Sequence, residues 1–318
     1  MNTNISNRLY SSDSQLDEAE LKWWEKFAEI EERFCWVQPP SIHKFLHAKL
    51  VSRLLKLARN SKRIVDIGCG SGWLTILLAQ SGIKYIVGID FSEKQISIAL
   101  QRAKKVGVED RVTFQVMDAK KLKTEPNTFD MVIFNGFLHH LATVEIKQMI
   151  SIAKSMLTPE GCLVIIEPVQ YNVSEENHKA RRLLGYLKWL NNLPLRGQRF
   201  GIRRFSEAEL RYRNLIKERT VGILPRGPSP KEMAFAQDDI PRLLYPHFTI
   251  KNRMRDIAIS HLIAQEILLM QLSHPYLARL IKWPLLITAK YIERHLLSLE
   301  PPLPNIWIFE VFECVPCK

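Results

Sequence analysis

The sequence is poor in cysteine and has no long apolar run, and these two absences exclude several classes of protein. Five cysteines among 318 residues are an odd and sparse set, which suits a reducing compartment rather than a disulfide framework. No run of about 18 uncharged apolar residues occurs, so the sequence predicts no membrane-spanning helix. The first residues also lack the basic-then-apolar order of a secretion signal. We therefore expect a cytoplasmic protein.

Residues in a metal-binding pattern are scarce as well. Cys314 and Cys317 form a CxxC pair near the end of the chain, but no second pair completes a four-ligand zinc site. The sequence therefore predicts no bound metal ion.

Basic residues are in excess and unevenly spread. The net charge is +12, and residues 179–226 alone hold 13 Lys or Arg against three Asp or Glu, a local charge of +10. Such an excess is larger than a solvated surface requires and indicates an anionic partner. The acidic surface of a membrane and the phosphates of a nucleic acid both fit this charge.

The spacing of apolar residues divides the chain into helices and strands. Residues 15–34 and 41–57 repeat apolar residues every three or four positions, which predicts two helices. Short apolar runs then alternate with helical stretches, which predicts a parallel sheet with helices on both faces, a doubly wound α/β fold. The five runs are Ile64–Ile67, Tyr85–Ile89, Val112–Val116, Met131–Phe134 and Cys162–Ile166.

Strand character returns twice in the second half of the chain. Residues 248–254 and 305–315 read as two further strands, and the stretch 257–299 between them is rich in Leu and Ile and reads as helical. This helical block is too interrupted to span a bilayer. It could lie in a membrane interface, wall an apolar acceptor pocket, or form an ordinary core.

Three glycines follow the first strand in the stretch VDIGCGSGWL. Gly68, Gly70 and Gly72 are spaced GxGxG, not GxGxxG as in the dinucleotide-binding turn. No Gly-Lys-Ser/Thr follows them, which excludes a P-loop. Glycines alone are weak evidence for a ligand, so the neighbouring acids decide.

Acidic residues end three neighbouring strands. Asp66 would repel a pyrophosphate but suits a cationic group. Asp90 and Asp118 reach the same edge of the sheet, where ribose hydroxyls and an adenine amino group could each find an acceptor. The three acids describe a nucleoside with an ammonium group and no phosphate, and S-adenosylmethionine is such a ligand. Its carboxylate could accept the N–H groups at the helix start near Ser71.

The motifs resemble those of class I S-adenosylmethionine-dependent methyltransferases. VDIGCGSG, GIDFS, VMDA, FDMVIFNGFLHHL and LTPEGCLVIIEP follow one another in the family order across about residues 60–169. The resemblance implies a Rossmann-like sheet, mostly parallel with an antiparallel closing strand, and S-adenosylmethionine as cofactor. It also implies that Phe91 packs on the adenine, Ala119 contacts the base and Asn135 lies near the sulfonium. The predicted cofactor-binding residues are Asp66, Gly68, Gly70, Ser71, Gly72, Asp90, Phe91, Asp118, Ala119 and Asn135.

Candidates for a general base follow the fourth and fifth strands. Methyl transfer depends mainly on positioning, but a hydroxyl acceptor also has to lose a proton. His139 and His140 follow the fourth strand, and an imidazole with a pKa near neutrality suits this task. One of the two histidines is expected to be structural. Glu167, at the end of the fifth strand, is a third candidate.

The resemblance also divides the chain into segments. It implies an N-terminal helical lid at 1–59, a cofactor-binding core at 60–169, basic and apolar helical substrate inserts at 170–303, and a closing strand at 304–318. The aromatic residues expected in the lid, where an ordinary helix–sheet core is an equal alternative, are Trp23, Trp24, Phe27 and Trp36.

Three functions are compatible with the sequence. The leading hypothesis is methyl transfer to a small-molecule or lipidic acceptor, at oxygen, with possible attachment to an anionic membrane surface. The alternative is an RNA or DNA methyltransferase that uses residues 179–226, but no Asn/Asp-Pro-Pro-Tyr/Phe motif follows the fourth strand, where the sequence reads Asn-Gly-Phe-Leu. A cofactor-binding protein without catalysis is the third, which the intact motifs disfavour. The acceptor and the oligomeric state stay open.

Overall fold

Strands and helices alternate through residues 63–170 of the computed structural model, as the sequence predicts. The structure describes residues 14–34, 45–123, 125–170, 229–256, 275–297 and 307–317. It divides into one unit of Met1–Val169, Ser229–Asp256 and Phe309–Lys318, and a second unit of Gln170–Pro228 and Ile257–Ile308. The predicted boundaries at 59, 169 and 303 stay a prediction.

Within the described residues, the first unit is built on a sheet of eight strands. The strands are β1 (Arg63–Ile67), β2 (Tyr85–Asp90), β3 (Val112–Val116), β4 (Phe129–Asn135), β5 (Leu157–Gln170), β6 (Phe235–Ala236), β7 (Phe248–Arg255) and β8 (Trp307–Pro316). The helices are α1 (Ser14–Phe34), α2 (Ala48–Ala58), α3 (Trp73–Gln80), α4 (Glu93–Val106), α5 (Thr143–Met156), α6 (Asp239–Leu244) and α7 (Pro275–Leu297), of which α7 belongs to the second unit.

The order of the strands confirms the predicted doubly wound fold. The sheet runs β3-β2-β1-β4-β5-β8-β7, with β6 paired to β5. β1 pairs in parallel with both β2 and β4, while β7 and β8 form the antiparallel pair that closes the sheet. The chain thus leaves β1 toward β2 and returns to its other side at β4. In such sheets a ligand crevice opens at the carboxyl ends of the two strands where the order reverses.

Burial explains why these segments take these forms. Ile64, Val65 and Ile67 of β1 are all buried, as expected for a central strand covered on both faces. Helix α3 is buried on every side over residues 74–79, and this explains why all of them except Thr75 are apolar. Helix α2 buries one stripe, Leu50, Leu54 and Ala58, in the same core.

Several elements differ from the sequence-based expectation. β5 begins at Leu157, directly after α5, because Leu157 pairs with Phe129 before a register shift to Met131. The two-residue β6 and the six-residue α6 are too short to leave a periodic pattern. Of the predicted helical block 257–299, residues 275–297 form α7, and the basic stretch 179–226 lies outside the described residues. None of the described helices is both long and apolar enough to cross a membrane.

We expect Gly72→Ala to lower the free energy of unfolding more than Gly107→Ala. Both glycines have a positive φ, +76° and +68°, so both substitutions carry a backbone strain of about 1–2 kcal/mol. A Cβ on Gly72 would also lie 2.9 Å from both the Ala99 Cβ and the Phe114 ring, whereas one on Gly107 would meet nothing within 4 Å. The resulting overpacking adds about 1–3 kcal/mol. Denaturant unfolding measures both losses, and equal losses would contradict the packing at Gly72.

Candidate functional site

The site is built where the turn after β1 meets the turn after β4. The N–H groups of Gly68 and Cys69 both donate to the Ile89 carbonyl, at 2.8 and 3.0 Å, which holds the glycine turn against the end of β2. Gly68 has a φ of +75°, and a Cβ there would lie 2.6 Å from the ring of Phe137, which follows β4. Only glycine therefore allows the two turns to approach so closely. This contact holds the two turns together at the carboxyl ends of β1 and β4, where a ligand crevice is expected.

Gly70 lies at the open part of the turn. A Cβ on Gly70 would have one described atom within 4 Å, Gln95 Oε1 at 3.8 Å. The N–H of Gly70 donates to Asp90 at 2.9 Å. Gly68 is thus required by packing, while Gly70 faces space that a ligand could fill.

Asp66 offers a buried carboxylate oxygen that has no donor. Its Oδ2 accepts a hydrogen bond from the Thr75 hydroxyl at 2.7 Å, while its buried Oδ1 accepts none from the described residues. Burial raises the pKa of Asp66 to about 7. A buried polar atom without a partner costs about 1–3 kcal/mol, and a donor supplied by a ligand removes that cost. An ammonium group fits this oxygen both in charge and in hydrogen bonding.

Asp90 is held by two backbone donors. Its Oδ1 accepts from the Ser92 N–H and its Oδ2 from the Gly70 N–H, both at 2.9 Å. Burial raises the pKa of Asp90 to about 6, although these two N–H groups act in the opposite direction. Each carboxylate oxygen has two lone pairs, so each can still accept one hydroxyl. A ribose diol is such a pair of hydroxyls.

The other predicted cofactor residues lie at the same edge of the sheet. Asp118 begins a short 3-10 turn, accepts the Lys120 N–H at 3.0 Å and precedes the buried Ala119. Ser71 is buried and its carbonyl accepts a hydrogen bond from Arg102 at 3.2 Å. The remaining three are Gly72 at the start of α3, and the half-buried Phe91 after β2 and Asn135 at the end of β4. Their binding roles stay a prediction.

His139 and Glu167 form a buried pair beside the crevice. The His139 Nδ1 lies 2.6 Å from Glu167 Oε2, and both side chains are buried. Burial lowers the pKa of His139, the charge of His140 adds to this effect, and Glu167 opposes it. Burial thus favours the neutral form of the ring. With its proton on Nδ1 and donated to Glu167, its lone pair lies on Nε2, which is the arrangement of a general base.

Glu167 is occupied by the turn it supports. Its Oε1 accepts the N–H groups of Phe137 and Leu138, at 2.9 and 2.6 Å, in addition to the contact of Oε2 with His139. These bonds orient the turn after β4. The geometry gives Glu167 a positioning role, and its predicted catalytic role stays a prediction.

His140 faces helix α1 rather than Glu167. Its Nδ1 lies 2.9 Å from Glu20 Oε1 and 3.2 Å from the Ser229 hydroxyl, while its buried Nε2 has no hydrogen-bond partner among the described residues. Glu20 also accepts from the Trp24 indole and from the Lys231 N–H. Burial alone would raise the pKa of Glu20, but His140, the Lys231 N–H and the Ser229 hydroxyl hold it below its ordinary value.

Ionic contacts fix α1 across the carboxyl edge of the sheet. Glu25 of α1 accepts from the Ser92 hydroxyl at 2.6 Å, next to β2. Asp17 pairs with Lys120 at 2.6 Å and with Lys231, and both lysines also contact Glu145 of α5. Helix α1 thereby touches the turns that follow β2, β3 and β4. Trp23 stacks on Phe27 within α1, and Trp36, the fourth aromatic residue of the predicted lid, lies outside the described residues.

Four of the residues that surround His139 and His140 were not predicted from the sequence. They are Glu20, Ser229, Lys231 and Glu232. Glu232 Oε1 lies 3.9 Å from His139 Nε2, on the side of the ring opposite Glu167. Ser229 and Glu232 carry the S-x-x-E pattern of a capping box, and the Ser229 N–H donates to Glu232 at 3.4 Å. Two features of the sequence could have indicated these residues. One is this capping-box pattern, and the other is Glu20, an acid seven residues before Phe27 on α1.

Among the residues that the structure describes, no group of three or more His, Cys, Asp or Glu side chains could hold a metal ion. Cys314 is buried, Cys317 is half-buried, and both are free thiols. The CxxC pair forms no metal site in this part of the chain.

Comparison with known proteins shows which family the core of this chain is similar to. Residues 58–200 match a family model described as a methyltransferase domain. A 27-O-demethylrifamycin SV methyltransferase of Amycolatopsis mediterranei is 37% identical over 107 residues, which are 34% of this chain and 39% of that protein. A ubiquinone biosynthesis O-methyltransferase of Rhizobium etli is 36% identical over 103 residues, 32% of this chain and 40% of that protein. A norajmaline N-methyltransferase of Rauvolfia serpentina is 31% identical over 137 residues, 40% of this chain and 45% of that protein. This chain thus spans less than half the length of each of these relatives.

We expect Asp66→Asn to weaken S-adenosylmethionine binding at pH 8 while stabilising the free protein. The folded-state pKa of about 7 lies above the ordinary value of 3.8, so the folded protein holds this proton more tightly than the unfolded chain does. Stability therefore falls as the pH rises from about 4 to about 7, and the substitution removes that loss. The affinity should fall by about 10- to 100-fold, the value of a charged hydrogen bond.

Calorimetry at pH 8 and thermal unfolding between pH 5 and pH 8 measure the two effects. Asp130→Asn is the matched control, because Asp130 accepts the Lys62 and Arg63 N–H groups at the start of β1, at the other edge of the sheet. Unchanged affinity in Asp66→Asn would show that the ammonium group binds elsewhere.

Proposed function

Since this chain carries a domain of the class I S-adenosylmethionine-dependent methyltransferase family, we propose that it methylates a small-molecule or lipidic acceptor at oxygen. The observation that carries the choice of oxygen is the buried Glu167–His139 pair beside the glycine turn. A neutral imidazole oriented through Nδ1 is suited to removing a proton from a hydroxyl.

The residues at the crevice fit S-adenosylmethionine, which supplies an electrophilic methyl group on a sulfonium. Asp66 would hold the ammonium group through its buried Oδ1, and Asp90 would accept the ribose hydroxyls. The backbone N–H groups at the start of α3 would hold the carboxylate, because a helix N-terminus favours negative charge. Asp118 and Ala119 would contact the adenine.

The chain's own contribution to catalysis is positioning and proton transfer. His139 Nε2 would accept the proton of the acceptor hydroxyl, and S-adenosylmethionine, when bound, would supply the methyl group. Glu167 stabilises the imidazolium that results, and it keeps the ring orientation through its bonds to the Phe137 and Leu138 N–H groups. The buried setting excludes water from this proton transfer.

The names of the relatives support a small-molecule acceptor. The ubiquinone relatives are named as O-methyltransferases, and the rifamycin relative is named for a 27-O-demethyl substrate. The norajmaline relative is named as an N-methyltransferase, so an amine acceptor is the nearest competitor. No nucleic-acid enzyme is among these three, and the basic stretch 179–226, on which that alternative depends, lies outside the described residues. We place the reaction in the cytoplasm, at or near a membrane surface.

Incubation with methyl-labelled S-adenosylmethionine tests the acceptor class directly. Alkyl-substituted catechols, an alkylamine of equal chain length and total RNA would be offered in parallel. We expect label in the catechols and none in the RNA. Label in the amine alone would overturn O-methylation, and label in RNA alone would overturn the small-molecule acceptor.

We expect His139→Ala to lower kcat by about 10²–10⁴-fold, the usual effect of losing a general base, with the affinity for S-adenosylmethionine unchanged. Because burial lowers the pKa of His139 below its ordinary value of 6.5, the acid limb of kcat in the unaltered protein should lie below that value. His140→Ala is the comparison, since His140 contacts Glu20 instead of Glu167. Full turnover in His139→Ala with cofactor bound would show that His139 is not a general base and that positioning alone accounts for catalysis.

A further inference from the structure

Helix α7 exposes an apolar stripe along most of its length. Tyr276, Leu280, Ile287 and Tyr291 are 91%, 76%, 55% and 64% exposed, and Trp283 between them is 38% exposed. Consecutive members lie four, three, four and four residues apart, which places all five on one face of the helix. Aromatic residues thus lie at both ends and in the middle of the stripe.

Another face of α7 is buried, while Leu285 and Ile292 on the side away from the stripe are 42% and 45% exposed. Leu286, Ala289 and Glu293 follow one another at spacings of three and four, and each is almost inaccessible to solvent. Glu293 pairs with Lys290 at 2.7 Å. The helix therefore already has a packed side, and the apolar stripe is a second surface.

The charges on α7 are almost all positive. The helix carries four cations, Arg279, Lys282, Lys290 and Arg294, and Glu293 on the buried face is its single acid. Arg294 lies on the same face as the stripe and Arg279 lies at its border, as the helical spacing requires. Lys282 Nζ stands 5.2 Å from the centre of the Trp283 ring.

We infer that this face of α7 docks onto the surface of an anionic lipid bilayer, with the helix lying in the plane of the membrane. Tyr and Trp side chains are suited to the depth of the headgroups, and the aliphatic residues between them can enter the acyl boundary. Arginines beside the stripe would meet anionic headgroups, which attract cations near such a surface. A second copy of the chain would bring the same cations to the same face and repel it.

The inference rests on the proposed function with a lipidic acceptor, because docking brings the protein to the membrane in which such an acceptor resides. The charge of the 170–318 half of the chain acts in the same direction, with 23 Lys or Arg against 14 Asp or Glu, a net +9. The docking itself requires neither cofactor nor turnover, so it can be tested separately.

Co-sedimentation of the full chain with vesicles tests the docking. Vesicles of phosphatidylcholine with phosphatidylglycerol are compared with pure phosphatidylcholine, each at low and high salt. We expect binding to the mixed vesicles that falls with salt, and at least about tenfold weaker binding in Leu280→Glu/Ile287→Glu, because each carboxylate would enter the headgroup layer. Val144→Glu, at a 63% exposed residue of α5, is the matched control and should bind like the unaltered chain.

Three results would overturn the inference. These are equal pelleting with both kinds of vesicle, equal pelleting of the double variant and the unaltered chain, and vesicle-free self-association that Leu280→Glu abolishes. The last result would assign the face to a second copy. Tyr276→Glu, at the most exposed position of the stripe, replaces the double variant if that variant does not fold.

Calorimetry with S-adenosylmethionine and turnover on a water-soluble catechol are measured for every variant. Normal cofactor binding and turnover without vesicle binding would overturn the docking alone. Vesicle binding without cofactor binding would overturn the proposed function alone.

Discussion

One buried carboxylate, that of Glu167, organises the turn on which the candidate site depends. It accepts the N–H groups of Phe137 and Leu138, which fixes the backbone after β4. The fixed turn places Phe137 against Gly68, and the same carboxylate orients His139. His140 follows by one residue and is thereby presented to α1. Removing one partner of a buried network of this kind leaves several polar groups unsatisfied at once.

The cofactor crevice has a cost in stability before any ligand binds. Burial raises the pKa of Asp66 to about 7 and of Asp90 to about 6, so at neutral pH both carboxylates are less favourable in the folded protein than in the unfolded chain. The two aspartates that fit a cation with hydroxyl groups are therefore also the residues that lower the stability of the free protein at neutral pH. Ionic contacts away from the crevice, such as Asp17 with Lys120 and Lys231, act in the opposite sense.

The sequence predicts the parts of this site that depend on local pattern. The strands around Asp66 and Asp90 are short apolar runs, and parallel pairing necessarily brings their carboxyl ends to one edge. The same parallel pairing predicts that the glycine turn after β1 and the histidines after β4 lie at this edge. The role of Glu167 was harder to foresee, because a strand-end acid reads as a pocket residue until the turn shows that backbone N–H groups occupy it. The contacts of Glu20 with Ser229 and Lys231 join positions 209 and 211 residues apart, and no local pattern encodes such a pairing.

That separation has a consequence for the order in which the protein is assembled during synthesis. Helix α1 is translated before β1–β5, whereas its partners Ser229 and Lys231 are translated only after all five of these strands. Loops of this length close late, because their entropy has to be offset by contacts that already exist. Strands β1–β5 with the glycine turn can therefore pair first, before Glu20 and His140 gain their hydrogen bonds with Ser229 and Lys231. During that interval α1 lacks the hydrogen bonds that the Ser229 hydroxyl and the Lys231 N–H donate to Glu20.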